Sequence, residues 1–160
     1  MDEPVKPVVT VVIAAWNAAD TIGRAIDSAL AQTIPVEVVV IDDASTDDTS
    51  DRAEAAAGGD PRVRVLRQAR NQGPSAARNR AIDVSTAPWI AVLDADDFME
   101  PGRLAALESV ARGTGADFVA DDLLKVAEDD LDGPRSRMFS DEALGQMPVE
   151  AVGRHVDLAV

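Results

Sequence analysis

Residues 89–97 read WIAVLDADD, a short apolar run that ends in the carboxylates Asp94, Asp96 and Asp97. An uninterrupted apolar run of this length predicts a strand buried on both faces, as in parallel sheets. The carboxylates then lie at its C-terminal end, the edge where open α/β sheets bind ligands. Carboxylate oxygens suit Mg²⁺ or Mn²⁺. A solvated acidic turn after a core strand is the simpler alternative, because clustered charges mark sites only probabilistically.

The rest of the chain alternates between β-branched or apolar runs and helical patterns. Strands are predicted over residues 8–14, 36–41, 63–66, 89–93 and 117–120. Four helices are predicted between these strands. The first has Asp20 as its N-cap, and the second begins at a Ser45/Asp48 capping box and ends at Gly58. The third runs from Ser75 to Val84 and the fourth from Pro101 to Gly113. Such alternation indicates βαβ units, so the predicted fold is α/β, with a mostly parallel sheet flanked by helices.

Composition excludes several classes of function. The 160 residues include 29 acidic and 15 basic side chains, for a formal charge of −14, which argues against a nonspecific nucleic-acid-binding protein. The absence of cysteine excludes disulfides and a thiol nucleophile, and one histidine, His155, gives little support to a Ser-His-Asp arrangement. No run is long enough to span a bilayer and no leader pattern opens the chain, so a cytoplasmic protein is expected.

Three predicted strands end in polar residues at the same edge of the sheet. They contribute Asn17 from the first, Asp42 and Asp43 from the second, and Asp94, Asp96 and Asp97 from the fourth. Any strand has to end somewhere, so one such ending is weak support. Three endings at one edge indicate a site.

The acidic chain reverses its charge between residues 61 and 82, which carry six arginines and no carboxylate. Most of these arginines are expected to be solvated or paired with nearby acids. Arg78 differs because it follows the turn NQGPS, residues 71–75, which sets backbone N–H groups at a helix start. A diphosphate could be held between Arg78 and a metal on the carboxylates.

Four segments together resemble the family 2 inverting glycosyltransferases, which have the GT-A fold. They are VIAAWN at 12–17, VVIDDASTDDT at 39–49, NQGPSAARN at 71–79, and LDADD at 93–97 with Pro101 and Leu104 beyond it. They match the family's opening strand, second-strand signature, glycine-arginine turn and metal-binding motif, in that order. The family usually has Pro at Ala14 or Ala15 and Tyr or Phe at Trp16, which is a minor departure.

The resemblance implies a role for each matching residue. The stretch around Ala15 and Asn17 would line the nucleoside pocket, and Asp43 would hydrogen-bond the uracil of a UDP-sugar. Arg78 would face the base or the diphosphate. Asp94 would approach the ribose or sugar and share the metal, Mg²⁺ or Mn²⁺, with Asp96.

The implied enzyme is a hexosyltransferase that transfers a sugar, with UDP-glucose favoured as donor, to a glycan or lipid-linked acceptor. Exopolysaccharide synthesis at the inner face of the membrane, with peripheral association of the full-length protein, is what the resemblance suggests. The implied organisation is a leader over residues 1–7, a nucleotide-sugar-binding domain over 8–125, and a loop with the start of an incomplete acceptor-side region over 126–160. The domain is thus expected to be truncated at its C-terminus.

The catalytic base is left unassigned. The family's base lies on a later acidic motif, and the acids here, Asp121, Asp122, Asp141 and Glu142, lack the matching context. The 160 residues alone are therefore expected to bind a donor but to transfer its sugar slowly or not at all.

Three other interpretations stay open. One is a nucleotide-binding module without activity, and another is a nucleotidyltransferase with the same kind of sheet. A receiver domain also places Asp pairs at strand ends, but it would leave the turn before Arg78 unexplained.

Overall fold

Four apolar runs form parallel strands in the computed structural model, which describes residues 5–121, 124–126, 130 and 135–137. Their bounds are β1 Val9–Ala15, β2 Val36–Asp42, β3 Val63–Arg67 and β4 Trp89–Asp94. The sheet order is β3-β2-β1-β4, so β1 and β2 lie between neighbours on both sides. The first four predicted strands, and the parallel sheet, are confirmed.

Helices cover both faces of the two central strands. Three of them are α1 Ile22–Leu30, α2 Thr49–Ala57 and α3 Pro74–Asp83. Helix α3 packs on β1 and β2, where Ala77 and Ala81 meet Val12, Val39 and Ile41. Right-handed crossovers place α1 and α2, which pack on each other, on the opposite face. Most of the alternating side chains of β1 and β2 are therefore buried, on both faces of the sheet.

Strand β4 departs from the prediction of burial on both faces. Ile90 is 39% exposed and Val92 is 45% exposed, whereas Leu93, on the other face, is buried. Val92 is in register with Val12, and α3 covers β1 and β2 on that face. Within the described residues β4 is an edge strand of its sheet. Helix α3 covers β1 and β2 but leaves this face of β4 exposed.

Two of the predicted helix starts are wrong in detail. Helix α1 has Thr21, rather than Asp20, at its N-cap, and α2 has Asp48 there; neither cap residue makes a side-chain hydrogen bond to its helix. Ser45 is no capping residue, because its hydroxyl accepts from the backbone N–H of Asn17. The end of α2 is confirmed, with Gly58 in the left-handed conformation at φ 55°.

The predictions after Asp97 are less accurate. Helix α4, Arg103–Thr114, starts after Pro101 and includes Gly113; Gly115, at φ 71°, follows it. This helix crosses the division of the chain into two compact units between Ala106 and Leu107.

The strand predicted over residues 117–120 is wrong, because that stretch is irregular. The second unit instead has a short antiparallel pair, β5 Leu124–Lys125 and β6 Ser136–Arg137. Such runs of four residues contain too little periodicity to separate a strand from a loop.

Two further predictions concern the C-terminal part, namely a loop at 128–134 and the acceptor-side region that includes residues 141–160. All of residues 141–160 and most of 128–134 lie outside the described residues. The proposed boundary at residue 125 stays a prediction. No helix within the described ranges is both long and apolar enough to cross a bilayer.

Candidate nucleotide-binding site

The carboxyl ends of β1, β2 and β4 meet at one edge of the sheet, as predicted. Ala14 is in register with Asp94 across β1 and β4, and Ala15 is in register with Asp42 across β1 and β2. The side chains that follow these strands are thus brought together by the sheet itself, because parallel strands end at a common edge.

Asn17 links the ends of β1 and β2. Its backbone N–H donates to the Ser45 hydroxyl at 2.9 Å, and its side-chain Oδ1 accepts from the Thr46 N–H at 2.8 Å. Its φ of 50° lies in the left-handed region, which Asn tolerates better than most residues. Ala15 is buried, and its carbonyl accepts from the Asp43 N–H at 2.8 Å. These two residues therefore shape the edge, and Trp16 between them is 57% exposed.

Asp43 holds in place the turn at residues 71–75, here called the glycine turn. Its carboxylate is almost fully buried and accepts from the Gln68 side-chain amide at 2.7 Å. It also accepts from the backbone N–H of Gln72 at 2.9 Å and of Gly73 at 2.8 Å. Gly73 has a φ of 87°, a conformation that favours glycine. The carboxylate after β2 therefore fixes the start of α3, where Arg78 is located.

Asp42, the last residue of β2, is a fully buried carboxylate. Its Oδ1 accepts from the Ser45 N–H, and its Oδ2 lies 3.4 Å from Nε of Arg67. Arg67 also donates to the Ser45 carbonyl at 2.8 Å. Arg67 is thus tied to the loop after β2 and is not a free cation at the site.

Arg78 and Asp94 form an ion pair across the site, with Nη2 2.7 Å from Oδ1. Arg78 is two-thirds buried, whereas the Asp94 side chain is 54% exposed. The Nε of Arg78 is buried and has no hydrogen-bond partner within the described part of the chain. The glycine turn and the acidic strand end are therefore joined by opposite charges, one of which faces solvent.

The acidic turn, residues 94–97, concentrates negative charge. Burial raises the pKa of the Asp97 carboxyl, and the neighbouring carboxylates of Asp96 and Asp94 raise it further. Two cations, Arg24 and Arg103, oppose this shift without cancelling it. Such mutual repulsion is relieved by a bound cation.

A complete protein-made metal site is absent from the described residues, which contain no group of three or more metal-ligating side chains. Mg²⁺ commonly takes only one or two carboxylates together with substrate phosphates. The exposed oxygens of Asp94 and Asp96 fit that kind of site, which is completed by the ligand.

Sequence reasoning missed the partners that hold these side chains. Gln68, which donates to the Asp43 carboxylate, lies 25 residues from it in the sequence. Arg24 donates to the carbonyl of Asp96, which is 72 residues further along the chain. Neither residue belongs to a short motif. Hydrogen bonds across such separations leave no local pattern, so no signal in the sequence could have assigned these roles.

The chain matches the family model described as "Glycosyl transferase family 2" over residues 10–155. It is 50% identical over 143 residues to "Succinoglycan biosynthesis protein ExoO" of Rhizobium meliloti (strain 1021), covering 89% of this chain and 40% of that protein. To "Succinoglycan biosynthesis protein ExoU" of the same organism it is 55% identical over 115 residues, covering 72% and 33%. The chain thus spans between a third and two-fifths of these relatives.

Solved structures show the same fold. "S. aureus TarS 1-349 in complex with UDP" matches with a TM-score of 0.63 and 26% identity, over 68% of this chain and 33% of that one. "Mannosyltransferase PcManGT from Pyrobaculum calidifontis in complex with GDP-Man and Mn2+" matches with a TM-score of 0.63 and 28% identity, over 71% and 34%. With its predicted motifs gathered at one sheet edge, the GT-A fold observed here and a family match over most of its length, this chain belongs to glycosyl transferase family 2.

Proposed function

We propose that this chain is the donor-binding part of a glycosyltransferase that builds an exopolysaccharide, as the names of the succinoglycan relatives suggest. The donor is a UDP-sugar, with UDP-glucose favoured, and the acceptor is a glycan or a lipid-linked sugar. The observation that carries this proposal is the Arg78–Asp94 pair, which sets a cation and an exposed carboxylate at the sheet edge. A cytoplasmic location, with the full-length protein at the inner membrane face, is part of the same proposal.

Asp43 is the proposed acceptor for uracil. Two carboxylate oxygens offer roughly four acceptor positions. Three donors, the Gln68 amide and the N–H groups of Gln72 and Gly73, make four hydrogen bonds to them, because the Gln72 N–H is shared between the two oxygens. The N3–H of uracil would take the Oδ2 position at which the shared Gln72 bond is longest, at 3.2 Å. Ala15 and Asn17 line the nucleoside side of the same edge.

The diphosphate would lie between Arg78 and the acidic turn. Asp94 and Asp96 would hold Mg²⁺ or Mn²⁺, which would supply positive charge to neutralise the leaving UDP. Arg78 supplies a positive charge for the same purpose and needs no proton transfer. Inversion would follow from direct attack of an acceptor hydroxyl on the anomeric carbon, which forms the new glycosidic bond as the bond to UDP breaks, while a carboxylate base takes the hydroxyl proton. None of the acidic residues is assigned as the base; Asp122, Asp141 and Glu142 lie outside the described residues.

The test is calorimetric titration of the chain with UDP, GDP and dTDP, each with Mn²⁺ and each with EDTA. We expect UDP to bind best and Mn²⁺ to tighten its binding about tenfold or more, since the cation relieves the repulsion in the acidic turn. Equal affinity for UDP in Mn²⁺ and in EDTA would contradict the metal-dependent site. Release of pyrophosphate, rather than of UDP, from the longer protein would favour a nucleotidyltransferase.

A further inference from the structure

Helix α1 presents three polar side chains toward the chain that follows the acidic turn. Arg24 and Ser28 lie in α1, and Gln32 lies just beyond its end. They are spaced four residues apart, so they form one row along the helix, here called the polar stripe. The rest of the inward surface of α1 is apolar, with Ile22, Ala25, Ile26 and Ala29 buried.

Each member of the polar stripe bonds to backbone in or after the acidic turn. Arg24 Nη2 donates to the Asp96 carbonyl at 2.6 Å, and the Ser28 hydroxyl accepts from the Met99 N–H at 3.1 Å. Gln32 makes two such bonds: its amide donates to the Glu100 carbonyl at 2.9 Å and accepts from the Leu104 N–H at 3.0 Å. These bonds fix the path of the chain over residues 96–104.

Arg24 has a second role beside this backbone contact. Its guanidinium carbon lies 5.3 Å from the centre of the Phe98 ring, within the range of a cation–π contact. Its Nε is buried and has no partner among the described residues. Arg24 is therefore held between the acidic turn and an aromatic ring, which brings a fixed positive charge close to the carboxylates.

We propose that Arg24, Ser28 and Gln32 are positioning residues, which hold the backbone after Asp94 so that Asp94 and Asp96 are ready for a cation. None of the three supplies a ligand to that cation. They act through the peptide groups of residues 96–104, most of which lie in irregular structure before α4. The inference rests on the proposed function, because it concerns the same metal and diphosphate site.

The test compares Arg24→Lys, which keeps the positive charge but loses the guanidinium geometry, Ser28→Ala and Gln32→Met with the unaltered chain. The readout is the ratio of UDP affinity in Mn²⁺ to UDP affinity in EDTA, measured by calorimetry well below each unfolding temperature. We expect each variant to lower this ratio about tenfold, as is typical for groups that orient metal ligands. Asp27→Ala, an exposed site on the same helix, should leave the ratio unchanged and is the matched control.

If these residues only stabilise the fold, replacing them will lower the unfolding temperature and leave the affinity ratio unchanged. An unchanged ratio would therefore overturn the inference. Amide hydrogen exchange of the Met99 and Leu104 N–H groups gives an independent readout. Exchange should accelerate at Met99 in Ser28→Ala and at Leu104 in Gln32→Met, and exchange unchanged at both sites would also contradict the proposal. If the unaltered chain itself shows no gain from Mn²⁺, the proposed function fails, and the inference fails with it.

Discussion

At the scale of single residues, Asp43 combines a structural contact with a proposed contact to the base. Its carboxylate accepts from the N–H groups of Gln72 and Gly73 at the start of α3, and the proposed uracil N3–H would share Oδ2 with the longer Gln72 bond. We expect Asp43→Asn to weaken UDP more than CDP, because cytosine has no N3–H to donate. The loss of a buried polar pair costs about 1–3 kcal/mol. Calorimetry with both nucleotides measures the difference, and equal weakening would leave Asp43 only as the anchor of the glycine turn.

Ala44, next to Asp43, is strained. Its φ of 60° is left-handed, which costs a non-glycine residue about 1–2 kcal/mol. Ala44→Gly should therefore stabilise the chain by about 1 kcal/mol, after part of the gain is offset by the greater freedom of glycine in the unfolded chain. Urea unfolding measures the change. Ala19→Gly, at a loop position without positive φ, is the control and should destabilise; equal effects would show that Ala44 carries no strain.

At the scale of elements, the acidic turn is the part that needs a cation. Asp96 is exposed and lies beside Asp94 and Asp97, so the turn carries three carboxylates against the nearby guanidinium groups. Asp96→Ala should abolish the gain in UDP affinity from Mn²⁺ and leave binding in EDTA nearly unchanged. Asp83→Ala, an exposed acid in the last turn of α3, is the control. A full Mn²⁺ gain in Asp96→Ala would remove Asp96 from the metal site.

Strand β2 carries a further carboxylate, the partly buried Glu37, near its amino end. Burial by itself raises the pKa of Glu37, but hydrogen bonds from Thr10 and Thr86, together with Arg64, outweigh it and leave the pKa lowered. The Thr10 hydroxyl donates to it at 2.5 Å, and Arg64 Nη2 donates at 3.1 Å. Glu37 thus ties β1, β3 and the loop before β4 together at the edge opposite the proposed site.

A lowered pKa in the folded state makes stability depend on pH. The contribution of Glu37 is fully present above its unfolded pKa of about 4.3, and it is lost as the pH falls through the lower folded value. Glu37→Gln should therefore be less stable than the unaltered chain at neutral pH, and the difference should shrink in acid. Thermal unfolding against pH measures this, with Glu54→Gln on α2 as the control. A difference independent of pH would mean that the charge of Glu37 contributes nothing.

At the scale of the whole molecule, the position of α3 decides which part of the sheet is core. Val12 and Val92 are neighbours across β1 and β4 on one face, yet Val12 is fully buried and Val92 is 45% exposed. Val12→Thr should cost about 1–3 kcal/mol, because it buries a hydroxyl, whereas Val92→Thr should change stability by less than about 0.5 kcal/mol. Urea unfolding of the two variants tests this, and equal costs would show that the face of β4 is covered.

Contiguous residues were enough to predict the alternation of strands and helices, the parallel sheet and the grouping of Asn17, Asp43 and Asp94 at one edge. Periodicity, strand ends and glycine turns are properties of neighbouring residues, so they can be read along the chain. The same patterns failed for the face of β4, because burial there depends on where α3 lies. They failed again at residues 117–120, where the run is too short to carry a period.

Folding alone decided which partners hold the site. The contacts of Asp43 with Gln68, of Arg78 with Asp94, and of Arg24 with the Asp96 carbonyl join residues 25, 16 and 72 positions apart. Each depends on the register of the sheet and on the side of it that a helix covers. A hydrogen bond forms only within a few tenths of an ångström of its preferred length. Such distances are set by the packing of the whole domain, so they cannot be predicted from a local pattern of residues.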